Sequence, residues 1–257
     1  MEYKKKAMII TGYGTTCKES IKQVYWEIKD YLSIHFPDYY VNIAFTSSYI
    51  IKTLLQSNIP IFSVTEMLSF LKGENYEEVI LFSTHLIEGT EYNHLKELLL
   101  PFQGSFSILR LSAPILTHHK NVNIIFSKIA SLYSPIPKDT AVLFMSHGSI
   151  SAYNDIYIEL CNQLQNTNRN LFLATLKSYP NLYDIIKLLK LRTIRKVILA
   201  PFMIVSGAHV KKDLIGNQCA SWKSILENQE FFVTYKLKGL GEYTFMKELF
   251  VDILKCI

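Results

Sequence analysis

The chain repeats itself, and that repeat restricts it to a fold built twice. Ala7-Met8-Ile9-Ile10-Thr11-Gly12-Tyr13-Gly14 reads like Ala141-Val142-Leu143-Phe144-Met145-Ser146-His147-Gly148. Val79-Ile80-Leu81-Phe82 with Gly89-Thr90-Glu91 reads like Val197-Ile198-Leu199-Ala200 with Gly207-Ala208-His209. The first pair is offset by 134 positions (7 to 141) and the second by 118 (79 to 197), so two similar halves share one chain. Under this alignment Tyr13 falls opposite His147, and Glu91 opposite His209. A pseudo-twofold arrangement of the halves would aim all four side chains into one cleft.

Between the repeated runs, short apolar stretches alternate with longer helical patterns. Met8–Thr11, Val41–Phe45, Val79–Ser83 and Phe106–Leu111 read as strands of the first half. Helices are expected from Glu19 to Phe36, where an apolar stripe ends at Pro37, and over Ile50–Leu55, Val64–Leu71 and Tyr92–Leu100. The second half repeats the order. Strands at Val142–Met145, Leu171–Leu176, Val197–Pro201 and Phe231–Lys236 alternate with helices at Asp155–Gln165 and Tyr183–Leu191, before a closing helix at Tyr243–Leu254. Such alternation implies parallel sheets covered on both faces. The expected fold is therefore α/β: two similar doubly wound domains of about four strands each. Residues 1–120 form the first half and 121–257 the second, with the closing helix free to return to the first.

At 257 residues and 49% hydrophobic content, the chain can bury one large core or two of ordinary domain size. It has no apolar run of 18 or more residues, so no membrane span is expected. The basic cluster Lys4-Lys5-Lys6 leads directly into a strand and not into a signal-peptide core, so the cytoplasm is the expected compartment. Cys17, Cys161, Cys219 and Cys256 form no CxxC pair, which argues against thiolate metal sites and disulfide frameworks. The net charge of +5 suits an anionic partner. Basic residues are scattered, however, and without a zinc finger, RNP sequence or basic helix nucleic acid is not an expected partner. A small polyanion fits the charge better.

Ligands of open parallel sheets bind beyond the carboxyl ends of the strands. That is where Gly12-Tyr13-Gly14-Thr15, His85, Gly89-Thr90-Glu91, His147-Gly148 and Gly207-Ala208-His209 fall. Two imidazoles and a carboxylate, from His147, His209 and Glu91, suit a borderline divalent metal such as Co²⁺, Fe²⁺, Ni²⁺ or Zn²⁺. His85 ends the third strand and is a further candidate to line the cleft, with His118 and His119 as candidates for its wall. His35 and His94 lie inside helical patterns and read as surface or packing residues. The Gly12–Thr16 segment lacks the lysine of a phosphate loop and the third glycine of GxGxxG, and Ser146-His147-Gly148 is no GxSxG elbow.

Taken together, these residues resemble the anaerobic sirohydrochlorin cobaltochelatases, class II chelatases related to ferrochelatase. The likeness runs nearly end to end. It includes Gly14-Thr15, Ala44-Phe45-Thr46-Ser47, His85-Leu86-Ile87, Gly89-Thr90-Glu91-Tyr92 and Phe144-Met145-Ser146-His147-Gly148, and continues through Ser178-Tyr179-Pro180, Gly207-Ala208-His209, Ser221-Trp222-Lys223 and Gly239-Leu240-Gly241-Glu242. The resemblance implies ATP-independent insertion of Co²⁺, as substrate metal, into the octacarboxylate sirohydrochlorin during oxygen-independent cobalamin synthesis, with no organic cofactor. It implies that His147 binds metal and takes pyrrole protons, that His209 is a second ligand, and that Glu91 faces the tetrapyrrole. Tyr13, Gly14, Thr15, His85, Gly89, Lys177 and Gly207 are then expected to contact the substrate. The family usually carries a further glutamate ligand before Ser-Tyr-Pro, where this chain has Lys177. An ammonium has no lone pair to coordinate a metal and would repel a cation. Lys177, with Lys211 and Lys212, would instead attract substrate carboxylates. Three readings stay open: a cobaltochelatase, a ferrochelatase acting on the same tetrapyrrole, and a paralogue that binds without catalysing. A homo-oligomer also stays open.

Overall fold

The computed structural model of the chain describes residues 4–148, 154–207 and 210–257. It divides into two compact units, Met1–Thr117 with Thr244–Ile257, and His118–Tyr243. The first contains a sheet of β1 (Lys6–Gly12), β2 (Tyr39–Phe45), β3 (Phe62–Ser63), β4 (Glu78–Ser83) and β5 (Ile108–Leu111), in the order β3-β2-β1-β4-β5. The second contains β6 (Thr140–Ser146), β7 (Leu171–Thr175), β8 (Lys196–Pro201) and β9 (Phe232–Tyr235), in the order β7-β6-β8-β9. Every pairing in both sheets is parallel. Apart from β3, the two orders are the same, with the first strand of each unit lying between the second and a later one. This is the structural form of the sequence repeat.

The continuous apolar runs follow from this geometry. A strand paired on both sides and covered on both faces cannot alternate polar with apolar residues. In the first unit Ala7, Ile9, Val79 and Leu81 share a core with Val64, Leu68 and Leu95, from the helices Val64–Gly73 and Thr90–Leu99. Phe82, one residue past Leu81, points to the opposite face. Its ring centroid lies 4.9 Å from that of Phe250 on the closing helix Thr244–Leu254. Lys247 on the same helix reaches the Glu27 carboxylate at 3.2 Å. In the second unit Leu143, Met145, Val197 and Leu199 pack with Ile185 and Leu189 of the helix Leu182–Leu191 and with Trp222 and Leu226 of Trp222–Asn228. Phe144 faces the other way and meets Tyr133, at the end of the helix His119–Tyr133, and Phe202.

Helix starts are written locally. Ser63 and Glu66 form a capping box before Val64–Gly73, as do Asn181 and Asp184 before Leu182–Leu191. Three elements go beyond what the sequence pattern predicts. β3 pairs only Ala44↔Phe62 and Phe45↔Ser63, too short to show a period. The helix His119–Tyr133 carries Val122, Ile125, Phe126 and Ile129 on its buried side, but it begins where the repeat places the division between halves. Trp222–Asn228 spans two turns, capped by Ser221. The expected strands at Phe106–Leu111 and Phe231–Lys236 are shorter, Ile108–Leu111 and Phe232–Tyr235, because their ladders pair four residues each with β4 and β8.

Phe250 is fully buried. Phe250→Ala is expected to cost about 3–5 kcal/mol through lost burial and the cavity left against Phe82, read as a shift in the urea-unfolding midpoint at unchanged slope.

Candidate functional site

In the second unit the ends of three neighbouring strands are tied together. Phe202 N–H donates to Met145 O at 2.7 Å, and Leu176 N–H to Ser146 O at 3.0 Å. His147 follows directly, half-buried, at the carboxyl end of the central strand. Gly148 then turns the chain with φ of +75°, and a Cβ there would stand 2.5 Å from Ser178 Oγ and 2.8 Å from Thr175 Cβ. Only glycine fits both the dihedral and the space. The buried phenol of Tyr157, on the helix Asp155–Thr167, hydrogen-bonds to the Ser146 side chain and the Gly148 backbone, while its burial pushes the hydroxyl pKa up.

The loop after β7 is cross-braced. Thr175 Oγ1 donates to Ser178 O at 2.7 Å, Ser178 Oγ to Asn154 Oδ1 at 2.5 Å, and Asn154 Nδ2 to Tyr179 O at 2.7 Å. Lys177 stands exposed on this loop, next to the Ser178 that abuts Gly148. The loop after β8 is propped by the segment Gly239–Glu242. Leu240 N–H and Gly241 N–H donate to Met203 O and Ile204 O at 2.8 and 2.9 Å. Gly207 O accepts from Lys211 N–H at 3.3 Å, where the π-helical turn Val210–Leu214 begins. Lys211 and Lys212 are exposed on that turn. His209 and Ala208 lie outside the described residues.

The first unit repeats the device. Tyr13 follows β1 with 49% of its surface exposed, and Gly14 has φ of +97°, where a Cβ would stand 2.6 Å from the Phe45 ring. Buried Tyr25, in the π-helical stretch Ile21–Trp26, hydrogen-bonds to the Gly14 backbone and the Thr84 side chain, and burial pushes its pKa up to about 12. Thr84 Oγ1 donates in turn to Thr11 O at 3.0 Å, tying β4 to β1. Thr15 is buried, and its hydroxyl oxygen accepts from Cys17 N–H at 3.1 Å. Each unit thus ends its central strand in a positive-φ glycine held by a helix-borne tyrosine. The sequence repeat does not reveal this pair, because Tyr25 lies eleven residues after Gly14 and Tyr157 nine after Gly148.

His85 lies two residues past β4 with Nδ1 2.8 Å from Ser83 Oγ, and its Nε2 is buried with no hydrogen-bond partner. Burial lowers its pKa to about 4, so the ring is neutral at neutral pH. Glu91 is exposed in the first turn of Thr90–Leu99, a helix capped by Gly89. Tyr13, Gly14, Thr15 and His85 therefore gather at the ends of adjacent strands β1 and β4, with Gly89 and Glu91 beyond β4. His147, Lys177 and Gly207 gather at the ends of β6, β7 and β8. Among the described residues no three His, Cys, Asp or Glu side chains form a metal-holding group. His35 stacks on Tyr31, His94 lies 3.7 Å from Glu97, and exposed His119 lies 3.9 Å from Glu159.

A family model described as cobalt chelatase (CbiK) matches residues 6–257. The sirohydrochlorin cobaltochelatase of Salmonella typhimurium is 26% identical over 248 residues, covering 96% of this chain and 94% of the relative. The sirohydrochlorin cobaltochelatase CbiKC of Nitratidesulfovibrio vulgaris is 28% identical over 259 residues, covering 97% and 88%. Among solved structures, SirB from Bacillus subtilis with Fe³⁺ matches with a TM-score of 0.65 at 12% identity, covering 98% of this chain and 94% of that one. CbiX, the terminal enzyme for siroheme biosynthesis in denitrifying bacteria, matches with a TM-score of 0.64 at 14% identity, covering 98% and 99%. At those identities the two structures speak for the fold.

The His85 environment has a measurable consequence. Unfolded, the ring takes up its proton near pH 6.5; folded, only near pH 4. The unfolded chain therefore binds more protons between those values, and stability falls as pH drops through that window. The loss is on the order of 3 kcal/mol. His85→Asn should flatten the pH dependence of urea unfolding between pH 6.5 and 4 relative to the parent chain.

Proposed function

Since this chain belongs to the cobalt chelatase (CbiK) family, we propose that it inserts Co²⁺ into sirohydrochlorin without ATP, the metalation step of oxygen-independent cobalamin synthesis. The observation that carries this reading is His147, an imidazole held at the carboxyl end of a central parallel strand by buried hydrogen bonds on both sides. The metal is a substrate here. It has to be bound, stripped of water and released, which disfavours a closed four-ligand cage.

Metalation requires two pyrrole protons to leave as a divalent ion enters. A neutral imidazole serves both needs near pH 7, offering a lone pair to the metal and accepting a proton once the metal has passed on. In this reading His147 and His209 present Co²⁺, and the Glu91 carboxylate orients the macrocycle or takes a proton from it. Tyr13, Gly14, Thr15, His85, Gly89 and Gly207 contact the tetrapyrrole. The ammonium groups of Lys177, Lys211 and Lys212 draw in its carboxylates, in keeping with the net charge of +5. The four cysteines, none in a disulfide, suit a reducing cytoplasm. Imidazole and carboxylate ligands discriminate weakly among Co²⁺, Fe²⁺ and Ni²⁺, so the choice of Co²⁺ rests on the family.

One observation favours a second reading. Lys177 places a positive charge on the loop packed against the His147–Gly148 turn, which weakens the hold on a cation and suits a protein that binds tetrapyrrole without metalating it. Two substitutions separate the readings. His147→Ala should lower the rate of Co²⁺ insertion by roughly 10²-fold or more. Lys177→Glu should raise KM for sirohydrochlorin if the lysine holds a substrate carboxylate. A large gain in rate with Lys177→Glu would instead favour the binding protein.

A further inference from the structure

The phenol of Tyr157 grips the chain on both sides of His147: the Ser146 side chain precedes the imidazole and the Gly148 backbone follows it. Tyr157 is 5% exposed, so solvent hardly competes for that oxygen. Its grip complements the other constraints at the turn. Leu176 N–H holds Ser146 O at 3.0 Å, and Ser178 and Thr175 fill the space where a side chain on residue 148 would go. Ser146 is buried, and Gly148 is confined by its positive φ and by the side chains of Ser178 and Thr175. The first unit contains the same arrangement, in which the Tyr25 phenol holds the Gly14 backbone directly after Tyr13. In both units the hydroxyl therefore reaches the glycine that directly follows the repeated residue.

We propose that Tyr157 is a positioning residue for metal transfer, setting the direction in which the His147 imidazole presents its lone pair. The proposal rests on the reading of His147 as a metal ligand. Ligand fields and proton transfer tolerate only small errors of angle and distance, so groups that merely orient a ligand still change metal affinity by 10- to 100-fold when removed.

Tyr157→Phe deletes the oxygen and keeps the ring, and Ser146→Ala deletes one partner of that oxygen. Tyr39→Phe is the control. It removes a phenol that donates to the Glu78 carboxylate beside Lys6, at the amino ends of the strands. Co²⁺ binding to the full-length chain is followed by the visible absorption of the bound ion, with sirohydrochlorin metalation kinetics and thermal unfolding measured on the same samples. Tyr157→Phe and Ser146→Ala should each weaken Co²⁺ binding roughly 10-fold or more, alter the absorption band, and lower kcat while KM for the tetrapyrrole holds. Tyr39→Phe should lower the melting temperature and leave the cobalt readouts unchanged. Parental Co²⁺ affinity and spectrum in Tyr157→Phe would overturn the proposal. So would a loss that Tyr39→Phe shares in proportion to its loss of stability. His147→Ala separates the two levels of the argument. If that variant bound Co²⁺ like the parent chain, the ligand reading itself would fall and the positioning role with it. If it lost binding while Tyr157→Phe did not, only the positioning role would fail.

Discussion

Parallel pairing on both sides of β1, and again of β6, is the constraint from which the rest follows. It requires crossovers that cover both sheet faces, which is why Met8–Ile10 and Val142–Met145 are apolar without interruption. It brings the ends of at least three strands to one edge in each unit. The chain turns directly after each central strand. Gly14 and Gly148 make that turn at positive φ, each against a wall of side chains that would clash with a Cβ.

Each turn is held in place by its neighbours. Tyr13 and His147 sit one residue before the two glycines, on backbone that a buried phenol reaches from the following helix. The loops carrying Lys177 and Gly207 are braced by their own hydrogen bonds, through Thr175, Ser178 and Asn154 in one case and through Leu240 and Gly241 in the other. Such rigidity matters for a reaction in which the protein supplies few groups. Metalation leaves the carbon framework of the macrocycle intact: a divalent ion enters as two pyrrole N–H protons leave. Burial keeps the His85 imidazole neutral at neutral pH.

Much of this is legible in the sequence. Strands buried on both faces announce themselves as short β-branched and aromatic runs, and the repeat locates the polar residues at their ends. The pattern of residues alone thus puts His147, Glu91, Tyr13 and His85 at strand termini. The remainder is hidden for physical reasons. β3 contributes two residues and has no period to read. The helix His119–Tyr133 begins at the division between units, so its stripe reads as a boundary. Tyr25 and Tyr157 look like ordinary core aromatics in a helical pattern, and nothing local distinguishes a phenol that holds a turn from one that fills space. Their different spacing from the glycines conceals the correspondence.

The account stands or falls on anaerobic incubation of the purified chain with sirohydrochlorin and Co²⁺, followed by absorbance beside a protein-free control. It predicts metalation well above the uncatalysed rate, with turnover exceeding one metal per chain and no dependence on ATP. Tight tetrapyrrole binding with metalation no faster than the control would contradict it.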